Sequence, residues 1–269
     1  MVENLENIIF LSDLHLGGKH DEDHHAARLA DALIGSLNPT TSMIVLAGDT
    51  IDTPTPDNHA KARRWMRRLE DAGLYVVGTI GNHECSAGGW QGITEALRAA
   101  SVLSLVTCTP GVQGDVLDPP WWVDVGSVRI ILADSQWGLR GWGKRPDFAR
   151  GRLDEDQLAE IAKLIEEARA GGRRVVLVLH HRAGYTTHLI DGDNALEDAA
   201  QLAEMCARLE VPVVVSGHQH PPPGTLMDEL CGVEHPLVCP KATRPHEDRL
   251  WGWWLRLDVE PWTVEPVGW

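Results

Sequence analysis

Tyrosine and phenylalanine are nearly missing from this 269-residue chain, with two of each against eleven tryptophans. Several Trp residues stand near the end, at Trp251, Trp253, Trp254, Trp262 and Trp269, and are expected in core and sheet packing. Cysteine is scarce and unpatterned. Cys85, Cys108, Cys206, Cys231 and Cys239 form no C-x-x-C pair, and their odd number argues against a pure disulfide framework. Reduced, mostly buried thiols are expected. Positive charge is also short, 24 basic residues against 39 acidic, for a net −15. Such a surface repels phosphate backbones and argues against broad duplex nucleic-acid binding. No apolar run approaches the ~20 residues of a membrane helix. The start, MVENLENIIFLSD, lacks a basic n-region and a small-residue cleavage site. A cytoplasmic protein with no membrane partner is therefore expected. A hydrophobic content of 43% is ordinary for a folded chain. No repeat, linker or low-complexity stretch interrupts it, so one domain over 1–269 is expected.

What is present is a series of short apolar runs, each ending in polar residues of one kind. Residues 43–47 read as a buried strand, Gly48 permits a sharp exit, and Asp49 follows at the carboxyl end. Open α/β sheets bind ligands at that edge. Residues 8–11 run into Asp13 and His15, two apart and so on one side of an extended backbone. A strand over 74–79 precedes Gly81-Asn82-His83-Glu84. A strand over 175–179 ends at His180-His181, and one over 211–215 ends in Ser216-Gly217-His218-Gln219-His220. Between them, helices are expected over 23–36, from a cap at Asp57 or Asn58 to 71, over 90–100, from Asp154 with Gln157 to 170, and from Asn194 with Glu197 to 209. The region 101–134 reads as β-rich, with a hairpin of 121–125 and 128–133 about Gly126-Ser127. The His-rich 20–25, HDEDHH, reads as a solvated helix start.

Five strand ends thus carry Asp13/His15, Asp49, Asn82/His83, His180 and His218/His220. Carboxylate, imidazole and amide donors suit Mn, Fe, Zn, Ni or Mg, and the absence of thiolate disfavours a structural zinc. Seven ligands are too many for one such ion, so two ions sharing Asp49 is the economical arrangement.

The ordered set D-x-H, GD-x-x-D, GNHE, H and GH-x-H, spanning residues 13–220, resembles the calcineurin-like metallophosphoesterases. The resemblance implies an α/β fold in which two packed mixed β-sheets are flanked by helices, a four-layer α/β/β/α arrangement. It implies that Asp13, His15 and His220 hold one metal, that Asn82, His180 and His218 hold the other, and that Asp49 bridges. His83 matches the family's general acid, and Asp52 the carboxylate that hydrogen-bonds that histidine. The activity implied is dinuclear-metal-dependent phosphoester hydrolysis by a metal-bridging hydroxide.

The protein Ser/Thr phosphatases read GD-x-x-D-R-G, whereas Thr53-Pro54 follows Asp52 here, so that branch's substrate-gripping arginine is absent. Leu132-Ala133-Asp134-Ser135 and residues 151–158, GRLDEDQL, are similar to bacterial cyclic-nucleotide phosphodiesterases, although Arg182-Ala183 replaces the proline usual after His180-His181. A phosphodiesterase acting on a small, possibly nucleotide-type phosphoester is expected. A phosphomonoesterase or nucleotide pyrophosphatase is the alternative on the same site. A non-catalytic interaction module on the same fold is the alternative of another class. The stretch 136–152 is basic on an acidic protein, and its Arg140, Arg145 and Trp142 are candidate substrate-binding residues.

Overall fold

Each apolar run becomes a strand whose alternate side chains enter different layers. In β1 (Asn7–Leu11), Ile8 and Phe10 face one way and Ile9 and Leu11 the other, all fully buried. The computed structural model describes residues 4–86, 95–106, 109–115, 118–136, 150–183, 196–226, 230 and 233–269.

β1 pairs in parallel with β2 (Ser42–Ala47), and β2 with β3 (Tyr75–Thr79). On its other side β1 meets β9 (Trp251–Arg256) antiparallel, and β10 (Thr263–Gly268) closes the sheet. The second sheet runs β4 (Trp121–Val125), β5 (Val128–Leu132), β6 (Arg174–Val178), β7 (Val213–Ser216) and β8 (His235–Val238). The β4–β5 hairpin is antiparallel, turning at Gly126-Ser127 as expected, and β5–β6, β6–β7 and β7–β8 pair in parallel.

Ile8, Phe10, Met43, Val45 and Val77 of the first sheet pack on Val123, Ile130, Leu132, Val176 and Val215 of the second. The outer face of the first sheet buries Ile9, Ile44 and Val76 under α1 (Glu22–Ser36) and α2 (Pro56–Asp71). Ile131, Val175, Leu177 and Val214 of the second lie under α5 (Glu155–Ala170) and α6 (Ala199–Arg208). The layers are therefore α/β/β/α. Among the described residues, no helix is long and apolar enough to cross a membrane. Trp253 and Trp262 are core residues, as expected, and Trp254 and Trp269 are half-buried against the first sheet's helices.

Several local expectations are corrected. The cap of α2 is Thr55, whose hydroxyl accepts from Asn58 N at 3.2 Å, with Pro56 in the first turn where its missing N–H costs nothing. The cap of α6 is Asp198, not Asn194, which lies outside the described residues, and its carboxylate accepts from the amides of Leu153 and Asp154 instead of its own helix. The third expected helix is described as α4 (Glu95–Ser101), preceded by the short α3 (Asn82–Cys85). It continues as a π-helical turn, Val102–Val106, within the stretch expected to be β-rich. Val102, Leu105 and Val106 pack into the two cores in that conformation. Asp154 caps α5 as expected, accepting from Gln157 N at 3.0 Å. Gln157 does not complete a capping box: its amide bonds the backbone of Asp134 in both directions.

Candidate metal centre

The parallel strands deliver their ligand-type residues to one edge. Asp13 and His15 follow β1, Asp49 follows β2, Asn82 follows β3, His180 follows β6, and His218 and His220 follow β7. Asp13, His15, Asp49, His218 and His220 all have positive φ, between 47° and 72°. Non-glycine residues avoid that region, and such strain clusters at functional sites. It is held by bonds such as Asp13 N to Gly48 O, 3.1 Å, and His15 N to Asp49 O, 3.0 Å. The adjoining glycines are required by close approach. A Cβ on Gly217 would lie 1.8 Å from Ser12 Oγ, and one on Gly48, at φ 86°, would lie 2.6 Å from His180 Nδ1.

Three groups of side chains converge closely enough to hold an ion: Asp13 with His15 and His220, Asp49 with His180 and His218, and His15 with Asp49 and His83. Asp49 belongs to two of them, with Oδ2 3.2 Å from His180 Nε2, 3.8 Å from His15 Nε2 and 3.9 Å from His83 Nε2. His220 Nε2 lies 2.8 Å from Asp13 Oδ1. His180 Nδ1 donates to Ala47 O at 2.8 Å, because a carbonyl only accepts. Its Nε2 faces Asn82 Oδ1 at 3.0 Å, Asp49 Oδ2 at 3.2 Å and His218 Nδ1 at 3.2 Å. Oxygens and imidazole nitrogens gathered this closely make a donor set that suits a cation. His15 Nε2 is likewise buried with no hydrogen-bond partner. The donor set, oxygen and imidazole nitrogen without thiolate, fits two divalent or trivalent ions.

In the metal-free protein, protons take the cations' place. Burial disfavours the charged form of His15, yet the Asp13 and Asp52 carboxylates facing its two ring nitrogens and the Asp49 charge push its pKa up to about 10. His180, opposed by burial but facing Asp49, is raised to about 9. Asp13 and Asp49 resist burial and are held below the usual carboxylate range, Asp13 chiefly by His220 and Asp49 chiefly by His180. Burial and the neighbouring His180 lower His218 to about 4.

All seven sequence-derived ligand candidates, with His83 and Asp52, meet here. One expected contact differs. His83 Nδ1 donates to the backbone carbonyl of Asp52 at 2.6 Å. The Asp52 carboxylate stands 4.0 Å from that nitrogen and 3.7 Å from His15 Nδ1. The tight turn at Asp52 brings its carbonyl nearer the ring than its side chain. Arg140, Arg145 and Trp142 lie outside the described residues. The ends of their stretch meet beside the centre: Arg152 N donates to Ser135 O at 2.6 Å, and Ser135 Oγ bonds His181 Nδ1 at 2.7 Å. His181 is fully buried, its ring against His218, and burial holds its pKa well below normal. The HDEDHH stretch leaves His20 and His24 exposed, as expected, but Glu22 is buried and pairs with Lys241 at 3.1 Å.

Glu84 carries a role that its place in GNHE did not disclose. Its buried carboxylate accepts from the amides of Asp49 (2.9 Å), Gly81 (2.7 Å) and Ile51 (2.9 Å), tying two ligand loops together. A larger cavity of about 460 Å³ opens beside Arg174 and Pro212, at the amino ends of β6 and β7. No ligand-type cluster among the described residues lies there, so the carboxyl edge is the candidate site.

Two facing sheets with a histidine–carboxylate cluster at their carboxyl edge define a metallophosphoesterase architecture. The chain belongs to the calcineurin-like phosphoesterase family, whose profile matches residues 6–222. That places it in a class of metal-dependent phosphoester hydrolases. It is 27% identical over 173 residues to the D subunit of the SbcCD nuclease of Escherichia coli (strain K12), a match covering 58% of this chain and 42% of that protein. The chain thus spans less than half of that relative's length. A dimetal phosphatase from Danio rerio superposes with a TM-score of 0.69 at 13% identity, covering 98% of both chains. GAP50, described as the anchor in the inner membrane complex of Plasmodium, superposes with a TM-score of 0.61 at 13% identity over 98% of this chain and 84% of that one. Both structural likenesses are likenesses of fold.

Proposed function

We propose that this chain hydrolyses a small phosphodiester, with Asp13, His15 and His220 holding one metal ion, Asn82, His180 and His218 a second, and Asp49 shared. The carrying observation is the convergence of Asp49 Oδ2 and Asn82 Oδ1 on His180 Nε2, at 3.2 and 3.0 Å, with Asp49 also in the cluster of His15 and His83. Two such ions, when bound, lower the pKa of water and neutralise phosphoryl oxygens. The chain's own residues supply the rest. With Nδ1 fixed as donor to Asp52 O, His83 turns Nε2 toward Asp49, and this is the atom that protonates the leaving oxygen. The Asp52 carboxylate faces His15 Nδ1 and orients Nε2 of that ring toward Asp13. Glu84 holds the Asp49 backbone in its strained conformation.

The diester preference draws on residues 132–135 and 151–158 and on the nuclease relatives, since a nuclease cleaves phosphodiesters. The net charge of −15 favours a small substrate over a duplex. Arg140 and Arg145 would attract the anionic phosphoester and Trp142 would cover its organic part, which the bond of Arg152 N to Ser135 O beside His181 supports. A non-catalytic role is the second reading, since GAP50 has this fold and is named an anchor; the complete donor set weighs against it.

The test is a substrate panel with manganese-loaded protein: 2′,3′- and 3′,5′-cyclic nucleotides, nucleoside pyrophosphates, and simple mono- and diesters. Higher kcat/KM on diesters supports the proposal. A monoester preference refutes the diesterase assignment, and no turnover of any phosphoester refutes the enzyme reading.

A further inference from the structure

His220 forms part of the wall of a groove that the metal centre does not explain. On one side is a cavity of about 330 Å³ bordered by His20, His25, Lys241, Thr243 and Arg244. On the other is one of about 290 Å³, walled by prolines at 221–223 and Pro240. Both contain His220, Lys241 and Arg244, which form the ridge between them. The ridge is built into the centre's own framework. Ala242 N donates to Ser12 O at 2.9 Å, and Thr243 Oγ1 donates to Leu14 O at 3.0 Å, so residues 241–243 lie along the turn that presents Asp13 and His15.

The groove is cationic on a protein of net charge −15. Lys241 gives one ammonium donor to buried Glu22 at 3.1 Å, which fixes its direction and leaves two. Its charge also reaches the Asp52 carboxylate beside the centre. Arg244 is exposed, and its backbone amide is held by Lys241 O at 3.0 Å. His25 Nδ1, in the same lining, is buried with no hydrogen-bond partner among the described residues. Glu22, the acidic residue in this lining, is already paired. The rigid proline walls fit an organic group laid flat, with the cations at its side.

We infer that Lys241 and Arg244 hold a second anionic group carried on the organic part of the phosphoester. The substrate class is thus a phosphoester whose substituent bears a further carboxylate or phosphate. This rests on the phosphoester reading of the centre, which fixes one end of the substrate. The second anion then selects among esters, because on a protein of net charge −15 this cationic lining attracts it locally.

Binding of non-hydrolysable probes to the metal-loaded protein tests it by calorimetry, without turnover. The probes are phenylphosphonate, its 3- and 4-carboxy derivatives, and its 4-phosphono derivative. The better-placed doubly anionic probe should bind about tenfold more tightly than phenylphosphonate, the scale of one charge-assisted hydrogen bond. That ratio should fall toward one in Arg244→Ala, below one in Arg244→Glu, and with added salt in the wild type. The carboxy and phosphono arms distinguish which second group is preferred. Arg244 is exposed, so its replacement should leave the fold intact, and Lys241→Gln provides an independent second variant. A wild-type ratio near one, or a ratio unmoved by Arg244→Glu, overturns the inference while the phosphoester reading stands. Failure of all four probes to bind overturns both.

Discussion

Replacing Arg98 should be among the most destabilising single changes that leave the metal ligands in place. Its Nε donates to Asp134 Oδ2 at 2.6 Å, and both side chains are 0% exposed. The pair joins α4 to the end of β5, and Asp134 Oδ1 also accepts from Gln136 N at 2.9 Å. Removing the guanidinium strands a buried carboxylate, which typically costs about 3–5 kcal/mol. Against the ~5–15 kcal/mol that stabilises an ordinary domain, that is a large fraction. For a chain of this size it corresponds to a fall in Tm of about 5–9 °C. Urea unfolding of Arg98→Met, followed by tryptophan fluorescence, should show a lower midpoint at unchanged slope. Adding Asp134→Asn to the Arg98→Met variant should recover about 1–3 kcal/mol, because the neutral amide still accepts from Gln136 N without a buried charge. A loss below about 1 kcal/mol in the single variant, or no recovery in the double, would refute the view that an uncompensated buried charge dominates.

Chelation should abolish activity, and Asp49→Ala should lower metal content at both positions by elemental analysis; two full equivalents in that variant would contradict the shared ligand. His83→Ala should keep its metals and lose about 10²–10⁴-fold in turnover, with a smaller defect on nitrophenyl esters, whose leaving group needs no proton; an equal defect on good and poor leaving groups counts against the acid role. In metal-free protein, His15 and His180 are raised above the unfolded imidazole value, so their stabilisation is complete below about pH 6.5 and is lost as pH rises through about 9 to 10. Unfolding free energy should therefore fall as pH rises from 7 to 9, and loading at pH 7 should release protons, seen as buffer-dependent binding heats. Glu84→Ala strips the acceptor from three buried amides and should weaken metal binding as well as stability; unchanged metal affinity would show that Asp49 holds its conformation without it.

The sequence alone carried the strand-forming runs and the residue types at their ends. Both are local properties: an apolar run of five or six residues bounded by glycine or a polar pair reads as a buried strand wherever it pairs. The motif order was enough to name the family and its two-sheet fold and to single out the residues that folding brings together at one edge, because each motif is contiguous. Tertiary structure decided what depends on distant partners. Whether His83 meets the carboxylate or the carbonyl of Asp52 is settled by a turn geometry that both choices share in sequence. The clamp by Glu84 needs β2 and β3 adjacent and in register. Residues 102–106, expected within a β-rich region, are π-helical and fill the two cores. Lys241 and Arg244 carry no motif, and they reach the centre only because residues after β8 return alongside Ser12. Contacts between residues this far apart in the chain leave no periodicity in it, and only folding brings them together.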